Sequence, residues 1–302
     1  MMQRLISTLI FFPTLLLGLM VLDVSAETTL PSRADRDLID PSNCLGCHND
    51  NNIQPIFSTP HAQKGDPRTN FATKECETCH GPGGEDHPEI AFGALSKTPV
   101  EEQNRVCLDC HDRGDKVHWQ NSSHQASDIA CAACHRIHAV RDPVVEKSTQ
   151  IQVCFTCHTE QKAQSFLRSR HPFREGKMVC SDCHNPHGST SDFQLKENTV
   201  TETCYACHTE KRGPFLWEHP PVQENCALCH NPHGSTQDRL LKVRTPFLCQ
   251  QCHSDRFHPS TLYDGSGLPP VGAQSRLLAE GCLNCHYFVH GSNHPAGAAF
   301  TR

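Results

Sequence analysis

The chain has 302 residues and a formal charge of −6, with 36 % hydrophobic and 6 % aromatic residues against 21 Pro and 18 Gly. Such a chain struggles to build an aliphatic core large enough to offset its conformational entropy. Its acidic balance argues against a nucleic-acid partner, and against adsorption to anionic lipid through a basic patch.

Residues 1–26 read as a secretory signal peptide. Arg4 forms the basic region, Leu5 to Leu22 an apolar run broken by Pro13, and Val24, Ser25 and Ala26 a small-residue cleavage site. The apolar run is also long enough for an uncleaved anchor, but the small residues favour cleavage. Arg4 and Asp23 leave together, so the charge is unchanged. Residues 27–302 are then expected outside the cytoplasm, in the periplasm.

Twenty cysteines in an exported chain ordinarily suggest a disulfide scaffold. Here all twenty fall in ten C-x-x-C-H motifs. The pairs are Cys44 and Cys47, Cys76 and Cys79, Cys107 and Cys110, Cys131 and Cys134, Cys154 and Cys157, Cys180 and Cys183, Cys204 and Cys207, Cys226 and Cys229, Cys249 and Cys252, Cys282 and Cys285. Each is followed at once by a histidine: His48, His80, His111, His135, His158, His184, His208, His230, His253 and His286. No cysteine is left for a disulfide.

C-x-x-C alone also serves zinc sites and thiol redox centres. C-x-x-C-H is a signature of c-type haem attachment, in which two sulfurs bind the vinyl groups and the histidine binds the iron. Both sulfurs and the imidazole must meet one macrocycle from one tight turn, and ten repeats of that spacing decide the reading. Ten covalently bound haem c groups are expected. The expected fold is a multihaem cytochrome c: an extended, mostly irregular chain with short α-helices wrapped around the haems, and no appreciable β-sheet.

A linker from Glu27 to Asn43 precedes the first motif. The second runs into GPGGEDHP (81–88), read as a tight turn leading to His87, since no strand precedes it and its glycines fit no nucleotide loop. Motifs three to ten follow at intervals of 22 to 33 residues, room for short helices only. Residues 163–168 and 274–280 are predicted as two of these, with His-Pro pairs at 87, 171, 219, 258 and 294 as punctuation. The stretch 154–190 is a near copy of 204–236, each holding two motifs, so residues 27–302 read as five two-haem units.

Of 22 histidines, twelve lie outside the motifs. Met1, Met2 and Met20 leave with the signal peptide, so Met178 is the one methionine that could compete as a ligand. After odd-numbered motifs, and with His118 set aside because it does not keep the spacing, the next candidate follows the motif histidine by 13 residues at His61, His124 and His171, by 11 at His219 and by five at His258. After even-numbered motifs it follows by three at His138, His187 and His233, by four at His290 and by seven at His87. These ten are the predicted distal ligands, and His118 and His294 are spare. A histidine three residues past a motif can hardly reach its own iron from the opposite face, so it is expected to serve a neighbouring haem.

Iron held by two imidazoles has no open position and lacks the methionine that raises potential in many cytochromes c. The expected activity is single-electron transfer along closely spaced haems, without enzymatic turnover. An enzyme with one five-coordinate haem would often show a motif with lysine replacing histidine, whereas all ten motifs end in histidine. A soluble periplasmic shuttle is the other alternative.

The strings CETCHGPGG, ACAACHRIHAVRDPV, MVCSDCHNPHGS, CYACHTEKRGP, LWEHPPVQENC, LCQQCH and CLNCHYFVHGSNHP go well beyond C-x-x-C-H. Through them the chain resembles the periplasmic decahaem cytochromes of the MtrA/DmsE type (MtoA/PioA-like), over nearly all of residues 27–302. That resemblance implies a conduit seated in an outer-membrane β-barrel porin, exchanging electrons with an extracellular multihaem cytochrome and with periplasmic or inner-membrane donor or acceptor cytochromes. Respiration on metal oxides or other extracellular acceptors, and iron(II) oxidation, both occur in such a family. The region up to about Phe71 departs most from these strings.

Overall fold

Short helices at the attachment motifs set the architecture. The computed structural model describes residues 41–67, 71–82, 90–93, 95–253, 282–284, 286–295 and 297–300, all within the unit Leu38–Arg302. The signal peptide, most of the linker, all but the first two residues of GPGGEDHP, the predicted helix at 274–280, His87, His258 and Cys285 lie outside them.

Odd-numbered motifs sit on α-helices: α1 (Pro41–Cys47), α4 (Val100–Leu108), α7 (Lys147–Cys154), α9 (Val200–Tyr205) and α11 (Phe247–Gln250). Even-numbered motifs occupy one turn each: α3 (Glu77–His80), α6 (Cys131–Cys134) and 3₁₀ turns at Cys180–Asp182, Cys226–Leu228 and Cys282–Asn284. Between them lie α2 (Phe71–Lys74), α5 (Ser123–Ala126), α8 (Thr159–Gln164) and α10 (Pro220–Glu224). Among the described residues α4 is the longest helix at 9 residues, too short to be stable alone. Its start is favoured by Glu101 and Glu102 at the positive end of the helix dipole. α9 begins where the Thr199 side chain accepts the Glu202 N–H, and α10 begins with two prolines.

The helix predicted at 163–168 is displaced. α8 starts directly after the motif histidine and is closed by the buried Ser165, whose hydroxyl donates to the Lys162 carbonyl at 2.6 Å. Hydroxyl back-bonding of this kind competes with helix continuation.

No strand or sheet occurs among the described residues. Isolated bridges join Ser169 to Ser235, His184 to Leu195, Trp217 to Ser292 and His230 to Leu241. The apolar core is small: Ile56, Ala62 and Phe71 form one cluster, flanked by Phe57 and Ile137. Large apolar side chains such as Val140, Val145, Phe193 and Leu228 are instead exposed along a shared cavity.

Candidate haem-binding site

All ten motifs share one backbone bond. The histidine N–H donates to the carbonyl of the first cysteine, four residues back, at 2.8–3.0 Å. One helical turn thereby brings the first cysteine and the histidine together, as the spacing requires. No disulfide joins the described cysteines.

Motifs are then joined in twos by buried polar side chains that motif reading alone does not single out. Asn104 accepts the Cys131 N–H at 2.7 Å and donates to the Ile129 carbonyl at 3.1 Å, tying α4 to the fourth motif. Gln150 on α7 accepts the Ser181 N–H at 3.1 Å and donates to the Val144 carbonyl at 2.8 Å. Thr201 on α9 accepts the Cys226 N–H at 3.3 Å. Each precedes the first cysteine of an odd-numbered motif by about one turn, and that spacing is the signal that could have found them.

The same junctions bring sulfurs together. The first cysteines lie side by side across motifs, Cys107 with Cys131, Cys154 with Cys180, Cys204 with Cys226 and Cys249 with Cys282. Second cysteines approach at the alternate junctions, where Cys134 lies near Cys157, Cys183 near Cys207 and Cys229 near Cys252. Successive motifs therefore approach alternately through first and second cysteines.

Eight motif histidines each face one predicted distal histidine, with ring centres 6.0–6.3 Å apart: His80 with His138, His111 with His61, His135 with His187, His158 with His124, His184 with His233, His208 with His171, His230 with His290 and His253 with His219. The expected neighbour proves to be two motifs away in sequence. Histidines after odd-numbered motifs face the next odd motif, and those after even-numbered motifs face the preceding even one. Two interleaved registers result. His48 and His286 are described, and the two remaining distal candidates, His87 and His258, are not. His118 is exposed, and His294 donates its backbone N–H to Ser292 Oγ at 3.0 Å.

Nδ1 hydrogen bonds orient these rings. His80 faces the Ile90 carbonyl at 2.9 Å, His184 that of Phe193 at 2.9 Å and His230 that of Arg239 at 2.8 Å, while His286 contacts the Ala299 carbonyl. His124, His171 and His219 bond the carbonyls of Pro186, Pro232 and Val289 at 2.8, 2.7 and 3.0 Å. Those carbonyls immediately precede the distal residues His187, His233 and His290. An Nδ1–H bonded to a carbonyl leaves Nε2 as the lone-pair nitrogen, the tautomer a metal needs.

The backbone accepts strain to provide this. Phe193 and Arg239 occupy the same place in two repeats and share left-handed φ values of 59° and 60°. A left-handed non-glycine residue costs about 1–3 kcal/mol, and here it belongs to the turn that presents the bonded carbonyl. Gly188 (φ 104°) and Gly234 (φ 155°), each just after a distal histidine, pack against the carbonyls of His118 and Gln164, where a Cβ would collide.

Burial lowers the pKa of His61, His138, His219 and His233, and brings His187 and His290 down to about 4. The facing motif imidazole adds to the lowering in every case. These rings are neutral near pH 7.

Sulfurs and imidazoles line one continuous, largely apolar cavity of about 6100 Å³. A pocket for one small ligand measures about 300–1,000 Å³, so this one suits many large cofactors. Two metal–imidazole bonds of about 2 Å each, extended to the ring centres, come to about 6 Å, matching the eight separations. The donor set and the cavity therefore fit haem c.

Comparison with known proteins agrees. Residues 76–157 match the family model "Cytochrome c-type protein NrfB-like", and residues 171–213 and 219–258 match "Doubled CXXCH motif". The chain is 47 % identical over 267 residues to the multiheme cytochrome MtrA of Shewanella baltica, covering 86 % of this chain and 80 % of that protein. It is 29 % identical over 127 residues to the cytochrome c-type protein NrfB of Escherichia coli O6:H1, covering 39 % of this chain and 65 % of that one. With NrfB of Haemophilus influenzae the figures are 31 % over 122 residues, 35 % and 53 %. The repeated motifs, the sheet-free chain and the extent of the match to MtrA lead to one conclusion: this chain belongs to the MtrA family of multihaem c-type cytochromes, binds haem c and acts as an electron carrier.

Proposed function

We propose that the chain carries ten haem c groups, each bound through its motif cysteines, its motif histidine and one distal histidine, and that it conducts electrons across the outer membrane. The observation that carries the ligand assignment is the recurrence of one imidazole separation, 6.0–6.3 Å, in eight pairs. The iron supplies reversible one-electron chemistry. Facing imidazoles leave no position for a substrate, which supports transfer without turnover. By elimination, His87 and His258 serve the motifs of His48 and His286.

The route runs between a periplasmic or inner-membrane cytochrome and an extracellular multihaem cytochrome, with the chain seated in an outer-membrane β-barrel porin. Similarity to MtrA along most of the chain supports this placement. No helix among the described residues is long and apolar enough to cross a membrane. Export by the signal peptide 1–26 delivers residues 27–302 to the periplasm. The test is fractionation of native membranes washed in high salt, with haem staining and identification of co-purifying proteins. Retention with an outer-membrane β-barrel is expected. Release as a monomer would instead make the chain a periplasmic shuttle.

A further inference from the structure

We infer that Asp142 is a positioning residue that holds the haem site of His135 and His187 at a lower reduction potential than its sister sites. This rests on the bis-histidine reading above. In the even-numbered motifs of His80, His184, His230 and His286, Nδ1 faces a backbone carbonyl further along the chain. In the fourth motif a carboxylate takes that place, with Asp142 Oδ2 lying 2.6 Å from His135 Nδ1. His135 thus differs from these four histidines, whose Nδ1 atoms meet carbonyls, in meeting a carboxylate. His208 lies 3.7 Å from Glu210, beyond that range.

The carboxylate is built in. Its Oδ1 accepts the N–H groups of Arg136 at 3.2 Å and Val144 at 3.3 Å, which aims Oδ2 at the ring. The Asp142 side chain is only 17 % exposed, so solvent screens it less than a surface charge. The same carboxylate acts electrostatically on His61 and Cys134, which belong to the neighbouring and the same attachment site.

A charged acceptor makes a hydrogen bond roughly twice as strong as a neutral one, and it raises the basicity of a metal-bound imidazole. A more basic ligand stabilises the ferric state over the ferrous. On reduction one electron enters and the proton stays on Nδ1, so no proton transfer is required. The expected effect of replacing the carboxylate is on the order of tenfold in the ferric-to-ferrous ratio at a fixed potential, which is about 59 mV for one electron.

The test is a redox titration of the full-length holoprotein followed by low-temperature electron paramagnetic resonance, comparing wild type with Asp142→Asn and Asp142→Glu. The rings of His135 and His187 are nearly parallel, 12° apart, so their iron belongs to the rhombic low-spin class. One haem equivalent of that class should titrate lowest in wild type, move up in Asp142→Asn and stay low in Asp142→Glu. Superimposable wild-type and Asp142→Asn titrations overturn the inference. So does a wild-type titration with no separate low-lying rhombic component, even if Asp142→Asn fails to assemble. High-spin iron in wild type would instead overturn the bis-histidine reading on which the inference stands.

Discussion

His187 follows its own motif histidine, His184, by three residues, yet its ring faces that of His135, with centres 6.0 Å and planes 12° apart. On the proposed ligation, the histidine that completes one site is delivered by the polypeptide of another, and local sequence neighbours serve different irons. Replacing His187 by Ala should open a coordination position beside His135, not beside His184. Carbon monoxide added to the reduced variant should bind about one haem in ten, and long-range electron transfer should fall. His118→Ala, at an exposed ring, should bind none.

Gly188 supports the same arrangement from the backbone. Its left-handed φ of 104° and its contact with the His118 carbonyl leave no room for a side chain. Gly188→Ala should therefore cost about 1–3 kcal/mol, and Gly234→Ala should act similarly through the Gln164 carbonyl. Thermal melting of the holoproteins, with haem content measured alongside, reads this directly.

Asn104 is a third test, because it ties α4 to the fourth motif through the backbone of Cys131 and Ile129 and is not itself a predicted iron ligand. Asn104→Ala leaves the Cys131 N–H and the Ile129 carbonyl without their bonds of 2.7 and 3.1 Å. A buried unsatisfied group costs about 1–3 kcal/mol. The variant should melt earlier while keeping the spectrum of a fully ligated protein.

The covalent half of the site was legible in the sequence because C-x-x-C-H compresses its geometry into one helical turn. The absence of sheet from the described residues follows from the same short intervals between motifs. Pairing was not legible, since His124 and His158 or His171 and His208 are matched only by the way the repeats interleave. Asn104, Gln150 and Asp142 carry no motif, and their roles arise from burial against a neighbouring turn. The helix expected at 163–168 lies instead at Thr159–Gln164, because Ser165 bonds back to Lys162 and closes it.

Low-temperature electron paramagnetic resonance of the ferric holoprotein tests the central claim most directly. The rings of His135 and His187, His184 and His233, His230 and His290, and His219 and His253 lie within 24° of parallel and should give rhombic low-spin signals. Those of His80 and His138, His124 and His158, and His61 and His111 cross at 77°, 76° and 62° and should give strongly anisotropic low-spin signals. Both classes together, with no high-spin iron, is the expected result. A high-spin ferric signal amounting to one haem or more would contradict it.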